Sequence, residues 1–391
     1  MKQLKKWVPE RSALLYAGIL LYTLERCWNA SLILPYHAGV DEVLKYAFAL
    51  MMVLVIARQE FTPKLYLIYG LAAVGAVMIR LRTGFMIDAF TILIILACRE
   101  ADLISVSRVI RKTTTVFLIV HMAYFFILLL LGQQELFYTD GVGRVRAGFG
   151  LLGPNLLSSY FFNLVLMWAW ETYDSIRLRQ LFWIVVIATV LYKFTDSRTA
   201  YLCTLALCVM LPIIRHCTPA AKLTNAVSAV IAPGLALLVL VFSYHRTSGF
   251  GAVLNKLLSG RLNLASYGID NFGFTLFGQR VDYNVRHDPS SWFIHNASRF
   301  TFDCVYSYLW SNIGILWLVL ICLCFFALAR RGNPRICLLL IFWAFYGMSE
   351  ITVMSIVRFF PLALISTLFL SREESDRLYG PKKPAAPGQE P

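Results

Sequence analysis

The chain has 391 residues, of which 59% are hydrophobic and only 15% are charged, and its mean hydropathy is +0.66. A water-soluble domain carries about 45–50% apolar and about 25% charged residues, so this composition excludes a set of soluble domains. The formal net charge of +14 does not by itself indicate a nucleic-acid partner. In a membrane protein, the position of each Lys and Arg matters more than their sum.

Long apolar runs without charged residues recur along the chain, as in proteins that cross the bilayer many times. Several runs are shorter than the roughly 20 residues of a straight span, but charged turns bracket them and we count them as spans. The sequence therefore predicts an all-α polytopic membrane protein with about twelve transmembrane helices. The predicted spans are 13–33, 43–57, 65–79, 84–98, 114–131, 152–170, 181–192, 199–214, 223–243, 304–329, 336–349 and 351–370.

These spans divide the chain into four parts. Membrane helices 1–9 occupy residues 1–243, a large external loop occupies 244–303, helices 10–12 occupy 304–370, and a tail follows at 371–391. The tail is polar and rich in Pro, which is typical of a disordered segment. The large loop is long enough to build structure outside the membrane, and we expect substrate recognition there.

Lys and Arg residues predict the orientation of the spans. They cluster at the N-terminus and in every second connection after it, and such clusters face the cytoplasm. By this rule both termini are cytoplasmic, and the large loop lies on the outer side of the cytoplasmic (inner) membrane.

The predicted outer connections nevertheless carry many arginines and few lysines. A guanidinium group binds phosphate through two parallel hydrogen bonds, whereas an ammonium group is a point charge. An arginine-rich outer surface therefore suits a ligand with a diphosphate, although any single external arginine can instead bind lipid headgroups. The candidate ligand-binding arginines are Arg80, Arg146, Arg198, Arg261 and Arg280.

Two segments give local support. The charged turn that ends at Arg198 lies between short apolar runs, at a depth where charges face protein or a wet cavity. Its alternative role is a structural Asp196–Arg198 pair. After Arg146, the sequence is rich in Gly, and Pro154 is suited to begin a helix whose free N–H groups face an anion near Asn155.

Four sequence motifs follow one another at the predicted outer face. They are Arg146 with Gly148-Phe149-Gly150 and Gly153-Pro154-Asn155; Asp196-Ser197-Arg198; Ser259-Gly260-Arg261 with Leu276-Phe277-Gly278; and Asp303 with Tyr306, Leu309, Gly314 and Ile315. In this order they resemble motifs of bacterial O-antigen polymerases and ligases. The resemblance covers roughly residues 140–315 and the overall pattern of spans.

The resemblance implies an inverting glycosyltransferase of the GT-C type that needs neither metal nor cofactor. Its donor would be a glycan on undecaprenyl diphosphate. Polymerases move the growing chain of a capsule, exopolysaccharide or O antigen onto the next lipid-linked repeat unit, and ligases move the finished chain onto another acceptor. Ligases usually carry His-Asn where this chain has Asp303 and Cys304, which favours a polymerase. A flippase and a chain-length regulator would be its further partners.

Such a transfer needs a general base for the acceptor hydroxyl. Asp303 occupies the motif position where the large loop enters the tenth span, and His287 and His295 precede it in the loop. His295 is a candidate base or sugar ligand, or a loop histidine bonded to backbone. Glu350 lies in a short outward turn and is either functional or paired with Arg358.

Two other classes of protein remain open. A secondary transporter often has about twelve spans, but the sequence shows neither an internal repeat nor an evident ionisable group in the middle of a span. The third hypothesis is a membrane partner of a polysaccharide assembly complex that is itself not catalytic.

Overall fold

The computed structural model describes residues 11–139, 143–282 and 300–379. The protein is mostly helical, with 76% helix and 2% strand, which confirms the all-α prediction. In chain order the α-helices are α1 (Arg11–Trp28), α2 (Ala38–Ala57), α3 (Pro63–Thr83), α4 (Ile87–Ala97), α5 (Leu103–Leu130), α6 (Pro154–Glu171), α7 (Leu178–Thr195), α8 (Arg198–His216), α9 (Thr218–Tyr244), α10 (Gly249–Leu257), α11 (Arg261–Phe272), α12 (Val305–Tyr308), α13 (Ile315–Arg330), α14 (Pro334–Gly347) and α15 (Arg372–Tyr379).

Five of the described helices are long and apolar enough to cross a bilayer, namely α3, α5, α7, α8 and α9. In their apolar windows only 17% to 39% of the residues are buried inside the protein. Most of their apolar side chains therefore face outward, as expected for helices in contact with lipid. These helices indicate a membrane protein, while the count of twelve spans and their orientation stay predictions.

The predicted helix after the Gly-rich segment is present. Gly153 has an extended backbone and Pro154 occupies the first turn of α6, where a missing N–H costs nothing. The sequence did not predict the short antiparallel hairpin before it, formed by β1 (Phe137–Thr139) and β2 (Val145–Ala147). This hairpin places Arg146 opposite Tyr138.

Two predicted spans are not continuous α-helices. The tenth begins with α12 and a π-helical turn (Leu309–Ile313), and a new helix, α13, begins after Gly314, whose φ is +119°. In the twelfth, 3₁₀ helices at Ile351–Met354 and Phe360–Phe369 replace a single α-helix. Most of the second 3₁₀ helix is buried inside the protein, where irregular backbone is tolerated at membrane depth.

The centre of the molecule is α14, which is buried on almost all sides. It packs against α9 and α8, and α9 also packs along α13. On the other side, α1 lies between α2 and α5. The start of α8, helices α10 and α11, and the turn after α14 meet around one cavity.

Candidate functional site

A cavity of about 710 Å³ lies where the hairpin, the turn between α7 and α8, helices α10 and α11, and the turn after α14 come together. Among the described residues, six of the nine site residues predicted from the sequence line it: Arg146, Asn155, Arg198, Arg261, Asp303 and Glu350. Its lining also includes the cations Arg144, Arg246 and Lys256 and the acid Asp196. Positive side chains thus outnumber acidic ones two to one, which favours an anionic ligand.

Arg146 is buried, with only 5% of its surface exposed. Its Nε donates a hydrogen bond of 2.7 Å to the carbonyl of Thr195, and its Nη2 donates to Oδ1 of Asn155. Arg146 therefore joins the hairpin to the end of α7 and the start of α6. It contributes positive charge to the cavity and also fixes the positions of three of its walls.

Three charged side chains meet at the turn between α7 and α8: Asp196, Arg198 and Arg144, which directly precedes β2. Asp196 has a left-handed backbone (φ +48°) that ends α7, and α8 starts two residues later, at Arg198. The Asp196 carboxylate lies 3.5 Å from the Nη1 of Arg144 and 3.5 Å from the Nε of Arg198. The alternative Asp196–Arg198 pair is thus present, but 51% of the Arg198 side chain is exposed and it still lines the cavity.

Arg261, the first residue of α11, connects this helix to the turn after α14. Its Nε donates to the carbonyl of Ser349 (2.8 Å) and its Nη1 to the carbonyl of Leu258 (3.1 Å). Its Nη2 lies 3.7 Å from Oε1 of Glu350, and its Nε lies 4.0 Å from Oδ2 of Asp303. One guanidinium thereby brings the two predicted carboxylates to the same side of the cavity.

The two carboxylates differ in environment. The Asp303 side chain is 42% exposed and that of Glu350 is 20% exposed. Desolvation raises the pKa of both groups, to about 7 for Glu350, and the nearby Arg261 opposes this rise. The negative charge of Asp303 raises the pKa of Glu350 further. At neutral pH, Glu350 is therefore poised between its protonated and ionised forms.

The segment Leu276–Gly278 and the segment after Asp303, both noted in the sequence, are in direct contact. The N–H of Ile315 donates to the carbonyl of Thr275 (2.8 Å), and that of Gln279 donates to the carbonyl of Asn312 (2.9 Å). A side chain at Gly314 would come within 2.5 Å of the carbonyl oxygen of Leu276. These two segments therefore hold residues 275–279 against the break between α12 and α13, and neither segment belongs to the cavity lining.

Three predicted residues are not in the described lining of this cavity. Arg80 and Arg280 are exposed, and both approach Gly84 at the end of α3. They form a separate cationic patch. His295 lies outside the described residues, as does His287.

Sequence reasoning did not select Arg246, Asn255 and Lys256 as site residues. Lys256 and Arg246 are charges in the predicted external loop, and Asn255 and Lys256 lie on α10. The amphipathic pattern of α10 is the signal that could have identified its polar face. Among residues 11–139, 143–282 and 300–379, no cluster of three His, Cys, Asp or Glu side chains could hold a metal ion.

Comparisons with protein-family models, with curated proteins and with solved structures find no match to this chain.

Proposed function

We propose that the protein polymerises polysaccharide repeat units carried on undecaprenyl diphosphate at the outer face of the cytoplasmic membrane. The observation that carries this proposal is a single cavity with an excess of cations and two carboxylates beside one arginine. Glycosyl transfer from a lipid diphosphate needs both features. Cations stabilise the leaving diphosphate, and a carboxylate accepts the proton of the attacking hydroxyl.

The cations act on the leaving group. In the proposed step, the bond between the anomeric carbon and the diphosphate oxygen breaks, and the bonding electrons stay on that oxygen. Arg198 and Arg261 bring guanidinium groups to the cavity from two different elements. Each can form two charge-assisted hydrogen bonds with phosphate oxygens. The negative charge of the departing diphosphate is thereby balanced within the site.

The proposed base is Asp303. The acceptor hydroxyl oxygen forms the new bond to the anomeric carbon from the face opposite the diphosphate, which inverts the configuration, and its proton passes to the carboxylate. Asp303 is the more exposed of the two carboxylates next to Arg261, so an incoming hydroxyl can reach it. The neighbouring Cys304 is buried, which leaves Asp303 as the accessible member of the pair that replaces the His-Asn of ligases.

The test is reconstitution of the purified protein with undecaprenyl-diphosphate-linked repeat units, followed by gel analysis of the products. We expect a ladder of polymers on the lipid carrier. For Asp303→Asn we expect the rate to fall by about 10²–10⁴-fold, the usual cost of losing a general base. The matched control is Asp270→Asn, an exposed carboxylate on α11 outside the cavity lining, and it should polymerise at the wild-type rate.

Two results would contradict the proposal. Folded protein that leaves single repeat units unchanged is not a polymerase, and transfer of a finished chain to a different acceptor identifies a ligase. Normal turnover by Asp303→Asn, with an inactive Glu350→Gln variant, would move the base to Glu350.

A further inference from the structure

An apolar groove of about 510 Å³ runs along one face of α8. The opposite walls are formed by α14 and the first turns of α9, and the end of α10 lies at its mouth. Leu202, Leu223 and Leu257 line the groove and are largely exposed. The groove is therefore open at the surface of the helix bundle, where α8 and α9 present apolar side chains to lipid.

This groove adjoins the cationic cavity. Arg198 and Thr199, at the first turn of α8, line both spaces. From there the groove follows α8 to Met210, a length of about 18 Å at 1.5 Å per residue. That is more than half of the roughly 30 Å of a hydrocarbon core. A polar head in the cavity and an apolar chain in the groove would thus belong to one molecule.

A second apolar groove, of about 560 Å³, lies between α9 and α13 and includes Phe274 and Trp310. Among the described residues, its lining contains no charged side chain and shares no residue with the cationic cavity. The two grooves have similar volumes, so volume does not distinguish them. Of these two grooves, the one along α8 combines an apolar wall with cations at one end.

We propose that the groove along α8 holds the hydrocarbon chain of the lipid-linked donor while its diphosphate occupies the cationic cavity; this inference rests on the proposed function. A membrane phospholipid is a poorer match, because its single phosphodiester carries less charge than a diphosphate and it brings two chains to one groove. The groove also opens toward lipid, so the donor enters sideways from the bilayer.

The test fills each groove with an indole. Ala206 is exposed in the wall of the groove along α8, so Ala206→Trp occupies space without displacing a packed side chain. The matched control is Ala229→Trp, in the wall of the second groove. Binding of sugar-free undecaprenyl diphosphate and of inorganic diphosphate is measured for each variant in phosphatidylcholine nanodiscs.

For Ala206→Trp we expect about ten-fold weaker binding of undecaprenyl diphosphate, equivalent to losing the burial of about two methylene groups. Inorganic diphosphate should bind as it does to the wild type, which also reports that the cavity is intact. Ala229→Trp should bind both ligands normally. Leu202→Trp, one turn nearer the cavity, is the second variant if Ala206→Trp fails to fold.

Unchanged lipid binding by the folded Ala206→Trp variant would overturn the assignment, and so would weaker lipid binding by Ala229→Trp alone. Displacement of the probe by an equal concentration of phosphatidylglycerol would identify a general lipid site. Polymerisation by the wild type is assayed separately. If the wild type polymerises but Ala206→Trp binds lipid normally, the proposed function stands and the assignment of the groove is wrong. If Ala206→Trp weakens lipid binding but the wild type forms no polymer, the assignment of the groove stands and the proposed function is wrong.

Discussion

Arg261 and Glu350 come from the start of α11 and from the turn after α14, and in the folded protein their side chains lie 3.7 Å apart. A guanidinium so close to a carboxylate lowers its pKa, whereas removal from water raises it. For Glu350 desolvation dominates, and the charge of Asp303 acts in the same direction, so that its pKa is about 7. Perturbed groups of this kind are concentrated at functional sites.

The raised pKa of Glu350 predicts how activity depends on pH. Its ionised form, which faces Arg261, is lost as pH falls through about 7. We expect kcat/KM for the lipid-linked donor to fall toward about ten-fold per pH unit below this value, because one protonation inactivates the site. Glu350→Gln is neutral at every pH, as the protonated glutamate is, so its kcat/KM should be low throughout and should no longer change as pH passes through about 7.

The control for this measurement is Glu374→Gln, an exposed glutamate on α15 outside the cavity lining, which should keep the acid limb. If Glu350→Gln titrates like the wild type, the limb belongs to another group. Asp303, whose pKa is also raised, is then the first to examine.

At the scale of elements, residues 275–279 form a hydrogen-bonded junction with the start of α13, in the same part of the chain as Asp303. The π-helical turn Leu309–Ile313 and Gly314 end one helical stretch and start another, and the segment around Leu276 is hydrogen-bonded across this break. The φ of +119° at Gly314 and the nearby carbonyl oxygen of Leu276 leave no room for a side chain. A straight helix over the predicted span 304–329 would not provide this docking position.

Gly314→Ala tests the junction. The new Cβ would lie 2.5 Å from a backbone oxygen, in a conformation that only Gly adopts readily. We expect the free energy of unfolding to fall by at least about 1–3 kcal/mol because of backbone strain, and the steric clash should lower it further. The decrease in stability is measured by thermal unfolding in detergent, with size-exclusion chromatography to monitor the fraction of folded protein.

Gly234→Ala in α9 is the matched control, because nothing lies within 4 Å of its added Cβ. Inside a helix this change should be neutral or stabilise the protein by about 0.5–1 kcal/mol. A melting temperature of Gly314→Ala equal to that of the wild type would show that the junction does not need glycine.

At the scale of the whole molecule, the long helices expose apolar surface around a buried α14, while the cationic cavity lies where the connections on one side meet. The charge pattern of the connections predicts that this side is external. The proposed function depends on this orientation, since we propose that polymerisation takes place at the outer face.

Labelling of single cysteines tests the orientation. All nine native cysteines are free thiols in the structure, so they are replaced first. Ser248, at the start of α10, and Ser175, between α6 and α7, are both exposed. We expect Ser248→Cys to react with an impermeant thiol reagent in intact cells, and Ser175→Cys to react only after permeabilisation. The reverse pattern would place the cavity on the cytoplasmic side.

Composition and local pattern were sufficient for several conclusions. The excess of apolar residues indicated a helical membrane protein, Pro154 marked the start of α6, and the arginines and carboxylates of the later connections were candidate site residues before their positions were known. These properties are local, because hydropathy and helix-start preferences depend on a residue and its close neighbours in sequence.

Other features were decided only by the tertiary structure. Arg80, Arg198, Arg261 and Arg280 were all candidate ligand-binding residues, although only Arg198 and Arg261 belonged to the sequence motifs, and in the structure only these two of the four line the cavity. The hairpin that carries Arg146 was not predicted from the sequence. Which charges share a cavity depends on packing between segments far apart in the chain, as in the contact of Arg261 with the turn after α14. Apolar periodicity identifies the helices but does not specify their neighbours, so side-chain packing and buried hydrogen bonds decide that arrangement.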